Sequence, residues 1–113
     1  MNTTCTYQTL SFDDGFGYIV MCERCRCLQL GLGCAQFHFD ELEFRSFCNT
    51  VREIYKDSAS QVSSEKATIL LSSSFPSISL HLSIPEVEIL HWMIEEADTT
   101  LTTNSLISLF SQH

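Results

Sequence analysis

From residue 5 the chain reads CTYQTLSF, a moderate alternation of apolar and polar positions that stops at Asp13-Asp14-Gly15-Phe16-Gly17. Period-two alternation marks a strand with one buried face. Asp-Gly between two extended runs signals a hairpin, because glycine accepts the positive φ of a tight turn. With Asp14-Gly15 as a two-residue loop, Asp13 faces Phe16 and paired residue numbers sum to 29. Gly17-Tyr18-Ile19-Val20-Met21 then reads as a second strand, rich in β-branched and aromatic residues. Alternation resumes at Leu28, Leu30, Leu32 and Cys34, and the phase changes beyond Gly33, where Phe37 and Phe39 have the other parity. Gly31 and Gly33 are placed to host a bulge or bend that re-aims this strand. The pattern therefore predicts strands near 4–12, 16–22 and 27–39.

The period then switches from two to 3.6. Asp40 stands as an N-cap with Glu43 three residues on, a capping box. Phe44, Phe47, Cys48, Val51, Ile54 and Tyr55 follow as one amphipathic stripe ending near Lys56. Residues 57–66 are polar, serine-rich and without period, hence a loop. Ala67 to Leu71 and Ser77 to Ser83 read as two further strands turned at Ser74-Phe75-Pro76. Ser83-Ile84-Pro85-Glu86 repeats the helix-start signal, with proline tolerated in the first turn. Val87, Leu90, Ile94 and Ala97 carry a second stripe to about Asp98. The threonine-rich stretch 99–103 lowers helix propensity, so Leu106 to Phe110 is expected as a short separate helix or a frayed end.

Phe37-His38-Phe39-Asp40 before Glu41-Leu42-Glu43-Phe44 matches Leu80-His81-Leu82-Ser83 before Glu86-Val87-Glu88-Ile89. Two β-β-α units, with duplication or shared amphipathic grammar as their origin, account for this. The expected fold is α+β, in the order β-β-β-α-β-β-α: one antiparallel sheet of about five strands with two main helices on one face. At 113 residues this is a single domain, 1–113. A chain of that length buries roughly 65% of its unfolded surface, so neither disulfide nor metal is needed to make a core.

Charge removes several function classes. The net charge is −8, with five basic and eight acidic side chains up to residue 58 and one and six beyond it. No basic stripe is present to neutralise phosphates, which argues against nucleic acid and anionic membranes. MNTTCTYQTLSFDDGF has neither a positive n-region nor an apolar h-region, and no apolar run approaches the length of a membrane span. The expected compartment is the cytoplasm, where thiols stay reduced and clustered cysteines signal metal or redox chemistry before disulfides.

Four of the six cysteines fall within MCERCRCLQLGLGC, residues 21–34. Zinc takes four ligands, with sulfur at about 2.3 Å, and a Cys-x-x-Cys turn presents two thiolates to one point. Cys22 and Cys25 sit where the second strand turns back into the third. By the register above Cys5 falls opposite Arg24, beside that turn, and Cys27 points to the same side as Cys25. The candidate metal set is Cys22, Cys25, Cys5 and Cys27, a closed and therefore structural zinc site. Two alternatives stay open. The thiols could do redox or metal-handling chemistry, since Arg24 and Arg26 would favour thiolates; against this, a thioredoxin-type CxxC opens a helix and this one is flanked by strands. Or Cys5 and Cys27 are plain strand residues. Cys34 and Cys48 are expected in the core.

Other side chains have ordinary explanations. His38 and His81 alternate onto the wetter face of their strands, and His91 is expected half-buried beside the second stripe. Glu41, Glu43, Glu86 and Glu88 suit first helical turns, and Glu95 and Glu96 are solvated helix charges by default. No catalytic residue is assigned, and no glycine falls in a phosphate-loop pattern. The stretch GYIVMCERCRCLQLGLG followed by FHFDELEFRSF resembles a family of small bacterial proteins of unknown function, in which a strand leads into CxxC, an apolar strand and an acidic-apolar helix. The likeness covers residues 17–55 best and ISLHLSIPEVEILHWMIEEA more loosely; only Cys22 and Cys25 carry over as motif positions, and the resemblance implies no activity. The expected function is a non-enzymatic domain acting through protein contacts, with a protein partner or a second copy meeting Trp92, Leu101, Leu106, Leu109 and Phe110. No small-molecule substrate is inferred.

Overall fold

Asp14-Gly15 does turn the chain, through a loop one residue longer than expected. The computed structural model describes residues 6–60, 66–71 and 78–111. Strand β1 (Tyr7–Asp13) pairs antiparallel with β2 (Gly17–Cys22), and the closing pair is Asp13 with Gly17. Gly15 lies at φ 96°, as a type II turn requires, and the Phe16 N–H donates to the Asp13 carbonyl at 3.1 Å. The extra loop residue lets Phe16 pack against the core. A β-bulge between Thr9 and Ser11 then absorbs that residue, so that Thr9 faces Val20 and Tyr7 faces Cys22. The two departures cancel, and the register beside Cys22 is the one the sequence implied.

The expected third strand, 27–39, is two strands. β3 (Leu28–Leu32) and β4 (Ala35–Phe39) pair across Gly33-Cys34, with Leu32 facing Ala35. Gly33 at φ 60° as the first of two loop residues makes a type II′ hairpin turn. The parity change between Leu32 and Phe37 comes from this fold-back and not from a bend. Cys34 consequently sits exposed at a hairpin tip, not in the core. The four strands form a meander in the order β1-β2-β3-β4. Ile19, Leu30 and Phe37 line up across it on one face, as do Met21, Leu28 and Phe39.

Helix α1 (Glu41–Ser60) starts directly after β4, four residues longer at its C-terminal end than the stripe suggested. Its capping box is formed: the Glu43 N–H donates to Asp40 Oδ1 at 2.7 Å and the Asp40 N–H to Glu43 Oε1 at 2.8 Å. Among the described residues, strands β5 (Lys66–Leu71) and β6 (Ile78–Ser83) pair only with each other. One sheet of about five strands is therefore corrected to a four-stranded sheet and a separate hairpin. The loop predicted at 57–66 is corrected at both ends, since residues 57–60 are helical and Lys66 opens β5; 61–65 and the turn at 74–76 lie outside the described residues. Helix α2 (Ile84–Ser111) has the same box at its start, with Ser83 Oγ accepting from the Glu86 N–H at 3.3 Å. It runs unbroken for 28 residues, about 42 Å, through the threonine stretch. Leu101, buried within that stretch, anchors it to the core and outweighs weak local propensity. The same burial removes Leu101 from the exposed surface expected of it.

Both helices cover one face of the meander. Phe44, Phe47, Cys48 and Val51 of α1 and Val87, Leu90, Met93, Ile94, Ala97 and Leu101 of α2 join Leu10, Ile19, Met21, Leu28 and Leu30 in one buried cluster. The opposite face is polar: Gln36 Nε2 donates to the Tyr18 hydroxyl at 2.8 Å and to Gln29 Oε1 at 3.0 Å. A two-unit pattern is visible, since β3-β4-α1 and β5-β6-α2 are each a hairpin feeding a boxed helix.

Candidate functional site

The cysteine turn joins β2 to β3 through residues 23–27. Cys22, the last residue of β2, is 2% exposed, whereas Cys25 and Cys27 face solvent. Three backbone bonds fix the loop. The Cys22 N–H donates to the Cys27 carbonyl and the Arg26 N–H to the Cys22 carbonyl, both at 2.8 Å. The Glu23 N–H reaches the Thr6 carbonyl, also at 2.8 Å, which extends the β1–β2 register to the residue after Cys5. Cys5 itself lies outside the described residues.

Two features distinguish this loop from an ordinary strand connection. The Cys25 N–H points at Cys22 Sγ across 3.4 Å. A peptide N–H aimed at sulfur fixes that side chain within the turn, with Cys25 folded back over it. And Arg26 lies at φ 64°, a conformation that costs an L-residue with a Cβ about 1–2 kcal/mol. Such strain persists only where the surroundings impose it. Here the Arg26 guanidinium meets Glu41 in the first turn of α1 at 3.5 Å, tying the loop to the helix. That ion pair also offsets part of the positive charge beside the thiols. Cys27 Sγ leans toward the Cys25 carbonyl at 3.9 Å, so it lies near the turn but is aimed at backbone.

Cys22 and Cys25 are thus brought to one turn, with Cys27 beside them. No group of three or more metal-ligating side chains is assembled among the described residues. No family model, curated protein or solved structure matches this chain. No helix among the described residues is long and apolar enough to cross a membrane.

Cys48 is buried, and burial together with the nearby Asp98 carboxylate pushes its thiol up to about 12. It is a neutral core side chain, as its position in the stripe implied. His38 is exposed on the polar face of the sheet, as alternation requires. His81 pairs with Thr68 across the second hairpin, and its side chain is outside the described set.

The helix–helix seam was not foreseen. Arg52 of α1 forks onto Glu95 of α2 at 2.8 and 2.9 Å and reaches Asp98 at 2.8 Å. Arg45 meets the other oxygen of Asp98 at 2.7 Å. Hydrogen bonding from Arg52 holds the Glu95 carboxyl below its usual range, so Glu95 is not the solvated charge expected. His91 stacks on Tyr55 with ring centroids 3.9 Å apart, its buried Nδ1 without a hydrogen-bond partner among the described residues. Burial lowers its pKa, opposed by the Glu95 carboxylate.

Proposed function

We propose that the protein is a non-enzymatic contact domain whose β2–β3 turn holds a structural zinc ion through Cys22 and Cys25, with Cys27 and Cys5 completing the ligand set. The Cys25 N–H directed at Cys22 Sγ carries this reading, because it folds the two cysteines into one turn and gives a donor to the sulfur that would bear charge as a ligand. Cys5 directly precedes Thr6 in the sequence, and the Thr6 carbonyl already bonds to the loop. Cys27 would turn away from the Cys25 carbonyl to bind, a side-chain rotation at an exposed position. A four-sulfur site leaves no open position for chemistry, so its work is to pin β1, β2 and β3 together at one end of the sheet.

Elemental analysis of freshly purified protein tests this. The expected result is one zinc per chain that survives gel filtration, lost in Cys25→Ser, with a lower urea midpoint after chelation. Cys25 is the better variant than the buried Cys22, because serine at an exposed position leaves the core intact. Zinc-free protein in which Cys25 reacts quickly with an alkylating probe at neutral pH would instead support the thiol-redox or metal-handling reading, to which the exposure of Cys25 lends weight. Zinc-free protein with unreactive thiols rejects both.

The contact role rests on the outer end of α2, where Leu106, Leu109 and Phe110 are 50%, 66% and 77% exposed. Their meeting a protein partner or a second copy in the cytoplasm is the corresponding reading. Sedimentation of the parent against Phe110→Asp distinguishes self-association from a monomer awaiting a partner.

A further inference from the structure

A second site lies on the opposite flank of α2, independent of the cysteine turn. The bulge in β1 places Leu10 and Ser11, consecutive in the chain, both in buried positions. Bulges re-aim side chains in this way. The side chain it re-aims is Ser11, 4% exposed and the one buried polar residue among those described, whose Oγ donates to Glu96 Oε1 of α2 at 2.7 Å. Above that bond opens a cleft of about 220 Å³ between β1 and α2, lined in part by Phe12, Asp13, Trp92, Met93 and Glu96.

Its lining is unusual in two respects. Phe12 and Trp92 are 66% and 60% exposed at its rim, large apolar surfaces left in water. Asp13 and Glu96 have no ion-pair partner among the described residues, whereas Glu95 and Asp98 on the next face of the same helix are matched by arginines. Aromatic faces carry negative quadrupole charge and attract cations, tryptophan most strongly. The Trp92 ring and two unmatched carboxylates on a chain of net charge −8 present a surface complementary to positive charge. The cleft falls below the roughly 300 Å³ at which small-molecule pockets begin, so it suits one side chain rather than a whole metabolite.

We propose that this cleft receives an arginine side chain presented by a protein partner. A guanidinium plane stacks on an aromatic ring while its fork donates to carboxylates, which uses both parts of the lining; a lysine ammonium is a hydrated point charge and uses them less well. The Ser11 hydroxyl holds Glu96 in place for that fork.

Trp92 is the chain's one tryptophan and lines this cleft, so at fixed pH, with the neighbouring His91 ring held in one state, its fluorescence reports on occupation of the cleft. The test titrates the full chain with a capped pentapeptide carrying a central arginine, and with the same peptide carrying lysine or glutamine. The arginine peptide is expected to change Trp92 fluorescence saturably, less tightly as salt rises. The lysine peptide should bind more weakly and the glutamine peptide not at all. Glu96→Gln should weaken the arginine peptide at least about tenfold, as loss of one charge-assisted contact does. Asp13→Asn should also weaken it, with circular dichroism of both variants unchanged. An equal response to the glutamine peptide, unchanged affinity in both variants, or no response up to about 10 mM peptide would overturn the proposal.

Discussion

Glu95 and Glu96 are chain neighbours on α2, and the helix turns them to opposite fates. Glu95 faces α1, where Arg52 grips both its oxygens. Glu96 faces β1, where a single serine hydroxyl meets it and its charge is unmatched among the described residues. Each flank of α2 buries an apolar stripe, but the α1 flank closes its polar edge internally and the β1 flank leaves its edge open. A closed edge adds stability and holds two helices in register. An open edge adds little to folding and keeps a carboxylate available for something outside the chain.

Breaking the closed flank should have the largest effect. Arg52→Met keeps the apolar stem but removes the cation that serves Glu95 and Asp98. Hydrogen bonds to charged groups are worth about 1.5–3 kcal/mol when well protected. These side chains are 23–35% exposed, and solvent screening brings the expected loss to about 1–2 kcal/mol. Urea denaturation measures it. A parent-like midpoint in Arg52→Met would mean that the flank is held by apolar packing alone.

The same flank should show a pH dependence with a defined sign. His91 is packed against Tyr55 and near Arg52 of α1, beside Trp92, Glu95 and Glu88 of α2. Burial puts its folded pKa below the ordinary 6.5, so the neutral ring is favoured on folding. The unfolded chain takes up the proton first. The contribution of His91 is complete above pH 6.5 and is lost as pH falls through the folded pKa. Glu95, depressed from 4.5 mainly by Arg52, contributes fully above that value and loses its contribution as pH falls further. The two windows are therefore ordered, His91 first. Urea midpoints at pH 7.5 and 5.0 should drop in the parent and drop less in His91→Phe, which keeps the ring stack without an imidazole to protonate. Equal drops would show that His91 does not link this seam to pH.

Legibility in the sequence followed the distance over which each feature acts. Both capping boxes span three residues and were plain from Asp40-x-x-Glu43 and Ser83-x-x-Glu86, as were both apolar stripes. The Asp14-Gly15 turn was recognisable, but its length depended on Phe16 reaching the core. Gly33-Cys34 does not declare itself as a turn, because alternation runs through both flanks and a bend and a hairpin share that pattern. At the cysteine turn the pair Cys22 and Cys25 was evident. The N–H aimed at Cys22 Sγ and the positive φ of Arg26 were not, since both are backbone outcomes. Arg52–Glu95 and Ser11–Glu96 join residues 43 and 85 apart, and no local pattern announces such a pair.

The smallest expected effect is the one that separates the two flanks most sharply. Glu96→Gln should change stability by no more than about 0.5 kcal/mol, the range of ordinary surface substitutions. The amide oxygen still accepts the Ser11 hydroxyl, and no cation loses its partner. Glu95→Gln, one residue away and of the same chemistry, leaves half of the Arg52 fork unpaired and should cost about 1 kcal/mol, since charged hydrogen bonds exceed neutral ones. The two variants compared in one urea series remove differences of helix propensity, which are nearly equal for glutamate and glutamine. Equal losses at both positions would mean that Glu96 is as much a part of the fold as Glu95. A loss confined to Glu95→Gln leaves Glu96 as a carboxylate that the folded chain positions through Ser11 without depending on its charge, as a residue kept for recognition would be.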